Sequence, residues 1–329
     1  MADYYFGIDA GNSKTHAMIA DASGHVLSLV QLGNGNWEGI GLERAREVYH
    51  EALDRALLEA HLTRSQISAA AYGLAGYDFP SDDDRLRPII MSLGLPGPFF
   101  LENDTLIALR AGTTRPYGVV CIAGAGSTKA GRAPDGSVFR TWGFGEHMGD
   151  GGGGGWLCQR ALGAVAQAAK GIGSPTLLTE KLLTHYNVAD VTALIELIER
   201  KHGQRVDYAH LVFEAAQDND PIAVQLLLDA GHELARGCNA VIRALNLTDE
   251  SFELVLAGGV FRNENSLLRQ TLTAEVQAVA PGADVIRLSV LPVAGAILLA
   301  MDEHGCLPDE TVRTRLAEGV QARLADSRK

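Results

Sequence analysis

Two short passages of the chain carry the residue types that grip phosphate. Near the N-terminus it reads Phe6-Gly7-Ile8-Asp9-Ala10-Gly11-Asn12-Ser13-Lys14-Thr15, and further on Val120-Cys121-Ile122-Ala123-Gly124-Ala125-Gly126-Ser127-Thr128-Lys129. Each is an apolar strand running into a Gly/Ser/Thr turn, followed by a second turn signal, Asp21-Ala22-Ser23-Gly24 or Pro134-Asp135-Gly136-Ser137, and another apolar segment. One hairpin is used twice. Small-residue turns expose backbone N–H groups in anion-binding concavities, so two of them face to face would clamp a polyphosphate from both sides. Ala123 stands in the second copy where the first has Asp9, so the carboxylate belongs to one copy alone. Gly124-Ala125-Gly126 is followed three positions on by Lys129, which excludes the dinucleotide fingerprint, and no GxxxxGK[ST] occurs.

Asp104 is the acid best placed for proton transfer. Asn103-Asp104 before Thr105-Leu106-Ile107-Ala108-Leu109 is an N-cap signal; an Asp at a strand end facing a cleft can also accept the proton of an attacking hydroxyl. Gly258-Gly259, after the apolar run Phe252–Leu256, makes a tight turn and leaves room for a nucleoside against the backbone.

The elements that must position these residues alternate. Strands are expected at Tyr4–Asp9, Thr15–Asp21 and His25–Leu32, then a helix over Leu42–Ala60 whose apolar side carries Ala45, Tyr49, Ala52, Leu53 and Ala56. A strand at Ala69–Leu74, a helix at Asp82–Leu93, a strand at Phe99–Leu101 and a helix at Asp104–Ala111 complete the first half. The second half repeats the order with strands at Gly118–Ile122, Thr128–Arg132, Val138–Thr141, Phe252–Leu256 and Val285–Leu288, and helices from Asn265 and Val293. Helices at Trp156–Lys170, Val191–Lys201 and Pro221–Leu245 form an insertion. The pattern is α/β, ββαβα-like in each half, divided at residues 1–116 and 117–329.

Composition narrows the function. A chain of 329 residues with 47% hydrophobic content can bury two cores. Its net charge of −12, spread rather than blocked, argues against nucleic-acid and anionic-membrane surfaces. Cys121, Cys158, Cys238 and Cys306 have no metal-ligand spacing. The longest apolar stretch, Leu288 to Met301, is too short for a bilayer, and strand-like sequence by Tyr4 leaves no room for a secretory leader or a DNA-binding extension. A cytoplasmic protein is expected.

Together these motifs resemble the actin-like ATPase and sugar kinase superfamily, and within it the N-acetylglucosamine kinase branch of the BadF/BadG/BcrA/BcrD ATPase family. The carriers are Asp9 to Thr15 and Gly124 to Ser127 as phosphate loops, Leu256-Ala257-Gly258-Gly259-Val260-Phe261-Arg262-Asn263 as adenosine motif, and Trp142-Gly143-Phe144-Gly145-Glu146-His147-Met148-Gly149-Asp150 as sugar loop. The resemblance implies two ribonuclease H-like domains around a cleft, with ATP and Mg²⁺ as cofactors. It implies phosphorylation of the 6-hydroxyl of N-acetylglucosamine, with glucosamine or N-acetylmuramic acid as alternatives. By the same resemblance Gly11, Asn12, Ser13, Lys14, Gly124, Ala125, Gly126, Ser127, Gly258, Gly259 and Asn263 bind ATP, Asp9 holds Mg²⁺ through water, and Asp104 is the base. Asn36, Trp37, Gly76, Asp104, Gly143, Phe144, Gly145 and Asp150 meet the sugar; Trp37 stacks on it or covers the helix from Leu42. Asp78 lines the same cleft. A monomer and a homodimer are both compatible with this reading.

Three departures stand out. Gly151 to Gly155 replace polar residues that the family carries after Asp150, and a five-glycine run, costly to order, is expected to be mobile unless a ligand pins it. Ala125 lacks the family's hydroxyl. Ala10 and Asn12 stand where glycine is usual. An ATPase that senses sugar or activates another enzyme is the alternative class; an iron–sulfur activator would need closely placed cysteines, which are missing.

Overall fold

The computed structural model describes residues 3–200, 207–263 and 267–326. Its first half runs β1 (Tyr4–Ala10), β2 (Thr15–Asp21), β3 (Val26–Leu32), α1 (Trp37–Ile40), α2 (Leu42–Ala60), β4 (Ile67–Leu74), α3 (Pro80–Ser92), β5 (Phe99–Glu102) and α4 (Asp104–Gly112). The second half runs β6 (Gly118–Ala123), β7 (Ser127–Arg132), β8 (Val138–Arg140), α5 (Gly154–Ala169), α6 (Leu178–Tyr186), α7 (Val191–Arg200), α8 (Ala209–Gln217), α9 (Pro221–Ala244), β9 (Phe252–Ala257), α10 (Leu267–Val279), β10 (Ala283–Arg287), α11 (Val293–Glu303) and α12 (Glu310–Asp326). The sheets have orders β3-β2-β1-β4-β5 and β10-β9-β6-β7-β8, the same topology twice. In each, an antiparallel meander continues into two parallel strands through helical crossovers.

Strand alternation distributes the apolar side chains over both faces of each sheet. On β1, Phe6, Ile8 and Ala10 enter one core with α2, while Tyr5 enters another with α11. On β6, Val119, Cys121 and Ala123 face a third core with α9, and Val120 faces the shared one. The shared core exists because each half lends a helix to the other. Helix α4 leaves the first sheet and lies on β6 and β7; α11 leaves the second and lies on β1 and β4, against α4. Glycine permits the close crossing: a Cβ on Gly295 would sit 1.9 Å from the Ile107 carbonyl oxygen and 2.5 Å from the Ala111 nitrogen. A buried Arg110–Asp302 ion pair at 2.7 Å closes the same helix pair. Helix α12 returns to β3.

Several expectations need correction. Each half holds the three meander strands expected, one more than the ββαβα shorthand counts. Helix α3 begins at Pro80 rather than Asp82, because the Asp82 carboxylate turns back to accept the N–H groups of Asp78 and Phe79 at 3.0 and 2.8 Å. Strand β10 starts two residues before Val285, and α1, α6, α8 and α12 were not among the expected elements. The predicted helix ends at Asn265 and Lys201 lie outside the described residues. Among those, no helix is long and apolar enough to cross a membrane.

Candidate active site

Hairpin pairing fixes the first phosphate loop. Ala10 pairs with Thr15, so Gly11 to Lys14 make the turn, closed by the Gly11 N–H to the Lys14 carbonyl at 3.0 Å. The Gly11 carbonyl accepts from the Gly35 N–H, and since carbonyl and following N–H point oppositely across a trans peptide, the Asn12 N–H points away from that contact. The Asn12 side-chain oxygen accepts from Asn36 Nδ2 at 2.8 Å, and the exposed Lys14 is free to swing over a bound anion.

In the second hairpin Ala123 pairs with Ser127, which aligns Ala123 with Ala10 and therefore Ile122, not Ala123, with Asp9. The equivalence shifts by one residue; the asymmetry between a carboxylate and an apolar residue stands. The glycine run is packed and hydrogen-bonded by the chain's own groups. Gly151 to Gly154 are buried, and the Gly154 and Gly155 N–H groups at the start of α5 donate to the Gly124 and Ala125 carbonyls at 2.7 and 2.8 Å. A Cβ on Gly153 would lie 2.7 Å from the Gly126 carbonyl group, so the run is glycine to let the helix start touch the loop. With those two carbonyls aimed at α5, the Ala125 and Gly126 N–H groups point the other way. A face of that kind can receive an anion, with the positive end of α5 behind it. Ser127 is not part of the turn: its hydroxyl donates to the Gly151 carbonyl at 2.7 Å and accepts from Lys129.

Beside this loop lies a cavity of about 770 Å³ lined by Gly124, Ala125, Gly154, Gly155, Gly259, Val260, Arg262, Asn263, and by Asp207, His210 and Phe213 from the insertion. The volume suits a nucleoside. A Cβ on Gly124, Gly126 or Gly259 would meet nothing within 4 Å, and none of the three needs positive φ. Packing does not require glycine there, which leaves the approach of a ligand. Gly258 is different, with φ +101 and a Cβ position 2.3 Å from the Ala123 carbonyl oxygen.

Asp104 is at the start of α4, yet the cap is Asn103, whose side-chain oxygen accepts the Thr105 N–H at 3.1 Å. Of the two residues that signal the cap, Asn103 does the capping, which leaves the Asp104 carboxylate without that role. Burial first, and then the negative charges of Asp9 and Asp78, push the Asp104 carboxyl up to about 7 against the opposing charge of Arg140. Asp9, at the end of β1, borders buried His16, whose Nδ1 is 3.8 Å away. Asp78 is raised mainly by burial; it pairs with Arg140 at 2.9 Å and accepts from Asn103 Nδ2 at 3.0 Å. Arg140 comes from β8 and also donates to the Asp78 carbonyl at 3.0 Å, so this contact spans the two sheets. Phe79 stacks on Phe144 with ring centroids 5.6 Å apart and leans on Trp142. Sequence reasoning missed Arg140, Phe79, His16, Asp207 and His210, because pairs 62 residues apart leave no local pattern.

The sugar-side residues fall in two groups. Asn36 caps α1 by accepting the Glu38 N–H while its amide nitrogen holds Asn12. Trp37 donates its indole N–H to the Gly76 carbonyl at 2.7 Å, and the Arg85 guanidinium lies 5.4 Å from its ring centroid. Gly76 has φ +82, and a Cβ there would press within 2.4 Å of Asn36 Oδ1. In the other group Asp150, buried, accepts the Gly143 N–H at 2.7 Å, and its own N–H donates to the Gly145 carbonyl, folding the 143–150 loop on itself with Phe144 outward. The Asp78–Arg140 and Phe79–Phe144 contacts bring the groups together.

Comparison with known proteins finds sugar kinases along nearly the whole chain. The chain is 29% identical over 306 residues to the N-acetylmuramic acid/N-acetylglucosamine kinase of Clostridium acetobutylicum, covering 91% of this chain and 99% of that one. It is 27% identical to the N-acetyl-D-glucosamine kinase of Dictyostelium discoideum, over 91% and 98% of the two chains. Among solved structures, a Chromobacterium violaceum protein assigned as an N-acetylglucosamine kinase superposes with a TM-score of 0.64 at 25% identity, covering 91% and 99%. The ROK hexokinase of Thermus thermophilus, at 23% identity and TM-score 0.55 over 91% and 98%, shares the fold. The family model of the BadF/BadG/BcrA/BcrD ATPases matches residues 6–300, and the chain belongs to that family.

Proposed function

We propose that this protein is an ATP-dependent kinase that phosphorylates the 6-hydroxyl of an amino sugar, N-acetylglucosamine first. The observation that carries the reading is Asp104: an acid relieved of capping by Asn103, raised to about 7, and set near Asp9 between two phosphate-binding turns. A base of that strength takes a proton from a sugar hydroxyl as its oxygen attacks the γ-phosphoryl. Backbone N–H groups of Asn12, Ala125 and Gly126, with Lys14, receive the phosphates, and the cavity beside Gly259 and Asn263 receives the adenosine. Asp9 fits Mg²⁺ held through water: among the described residues no cluster of three or more His, Cys, Asp or Glu could cage a metal, and Mg²⁺ in kinases rests on one or two carboxylates, waters and substrate phosphates. The ion, when bound, neutralises charge on the transferring phosphoryl.

The domains divide near residues 116 and 117, with α11 and α12 returning to the first. Asn36, Trp37, Gly76, Gly143, Phe144, Gly145 and Asp150 form the sugar side; Trp37 also packs against the core with α2, under the Arg85 guanidinium. Water is kept from the phosphoryl by the contacts at Asp78 and Phe79. The test is ADP release with Mg²⁺-ATP and a panel of N-acetylglucosamine, glucosamine, N-acetylmuramic acid, N-acetylmannosamine and glucose. Turnover with an amino sugar names the substrate; no turnover with any, alongside intact ATP binding, overturns the kinase reading in favour of a sensor or activator.

A further inference from the structure

Lys129 is a buried lysine that the proposed reaction does not use. It sits on β7 two residues past the second phosphate loop and is 1% exposed. Its Nζ donates to Ser127 Oγ at 2.9 Å and to the Gly151 carbonyl at 3.4 Å, both neutral acceptors. Among the described residues no carboxylate lies within ion-pairing distance; Glu233, on the neighbouring stretch of α9, pairs with Arg236. A slot is built for the side chain. Gly237, in the middle of α9, would bring a Cβ within 2.7 Å of Lys129 Cδ, so the helix carries glycine, its second-worst former, to admit the lysine stem. The Cys121 thiol beside it, hydrogen-bonded to Cys238, is held below the usual thiol range, and the charge of Lys129 contributes. A buried cation with only neutral partners is costly, and the fold keeps this one behind the turn whose Ala125 offers no hydroxyl.

We propose that Lys129 is a fixed positive charge of the nucleotide site, held by Ser127 and Gly151 behind the second phosphate loop so that its field draws the ATP phosphates to the Ala125 and Gly126 N–H groups. The inference rests on the nucleotide reading of that loop. Lys129 is a positioning residue, acting across the loop through charge. The same charge explains how the loop works without a hydroxyl at 125, and why Ser127 is turned inward: it is the strut that holds the ammonium.

The experiment compares ATP and adenosine binding by calorimetry in the wild type, Lys129→Met and Lys129→Gln. Both variants should bind ATP at least about 10-fold more weakly, the order expected for losing one unscreened charge, with adenosine affinity unchanged within about twofold. The melting temperature of the ligand-free Met variant should not fall, since an unpaired buried charge has been removed. Gln tests the alternative of a mere hydrogen-bonded strut, because it can still donate to Ser127. ATP affinity restored by Gln, wild-type ATP affinity in Met, or equal losses for ATP and adenosine would each overturn the proposal. A wild type that binds neither ATP nor adenosine would overturn the nucleotide reading itself, and the proposal with it.

Discussion

Replacing Asp104 by Asn should damage turnover and stabilise the fold in one stroke. Burial, with Asp9 and Asp78, moves the carboxyl from 3.8 to about 7. A displacement of that size corresponds to about 4 kcal/mol at roughly 1.4 kcal/mol per pH unit, an upper figure that solvent reaching the cleft reduces to about 2 kcal/mol. The sign follows from linkage. Between the unfolded value near 3.8 and the folded value near 7 the native state binds more protons than the unfolded state, so this group's contribution falls as pH rises through that window and stays low above it. Asn carries no charge and escapes the penalty. Asp104→Asn should therefore unfold about 2 kcal/mol later than wild type at pH 8, a few degrees in Tm, and gain almost nothing at pH 4. Turnover should fall by about 10²-fold or more, the usual worth of a positioned base, with ATP affinity nearly intact. Thermal denaturation at the two pH values and steady-state ADP release measure both effects. A pH-independent stability change, or turnover near wild type, refutes the reasoning.

Three further outcomes test the surroundings of the base. In wild type, kcat/KM for the sugar should rise through an apparent pKa near 7; Asp78→Asn, which removes a raising charge and unpairs Arg140, should shift that limb to lower pH, and an unmoved profile detaches Asp78 from Asp104. Gly153→Ala pushes a Cβ to 2.7 Å from the Gly126 carbonyl and should raise KM for ATP about tenfold while KM for the sugar holds; equal changes in both would argue that α5 does not order the phosphate loop. Gly295→Ala forces α4 and α11 apart at a 1.9 Å contact and should cost about 3 kcal/mol or more, read in urea denaturation; a cost under about 1 kcal/mol would mean that the crossing yields freely.

The repeated hairpin was legible because a turn between two strands is local chemistry: Gly11 to Lys14 and Gly124 to Gly126 announce themselves by residue type. Asp104 was legible as a residue but not as a role. Its neighbour Asn103 signals a cap equally well, and only the Thr105 contact decides which of the two does the capping. The glycine run misled because chain entropy is a local property, whereas its order comes from the Gly124 and Ala125 carbonyls, some thirty residues earlier in the chain. Arg140, Lys129 and the reach of α4 onto the second sheet were hidden for the same reason. An arginine on a three-residue strand has no period to read, and a lysine within β7 reads as solvent-facing until Gly237 is seen to make room for it. The α4–α11 crossing depends on Gly295, and the seating of α11 on β1 and of α4 on β4 on Gly7 and Gly73, which their spacing cannot express.

The exchanged helices also determine what the base can do during a cycle. Asn103 ties the start of α4 to the first half by donating to the Tyr77 carbonyl and to Asp78, while the body of the helix lies on the second sheet. If the halves close on their ligands about the start of α4, Asp104 stands at the pivot and keeps its relation to Asp9 while the second phosphate loop swings. What swings must be held at the mouth, where Phe79 on the first half meets Phe144 and Trp142 on the second. Phe79→Ala with Trp142→Ala removes that contact and leaves both phosphate loops and Asp104 untouched. The loosened mouth should enlarge the radius of gyration in small-angle scattering and let water reach the γ-phosphoryl, so ATP hydrolysis without sugar should rise several-fold relative to sugar phosphorylation. If scattering and the ratio of hydrolysis to transfer both stay at wild-type values, the aromatic contact is not what closes the cleft, and the Asp78–Arg140 pair must do so alone.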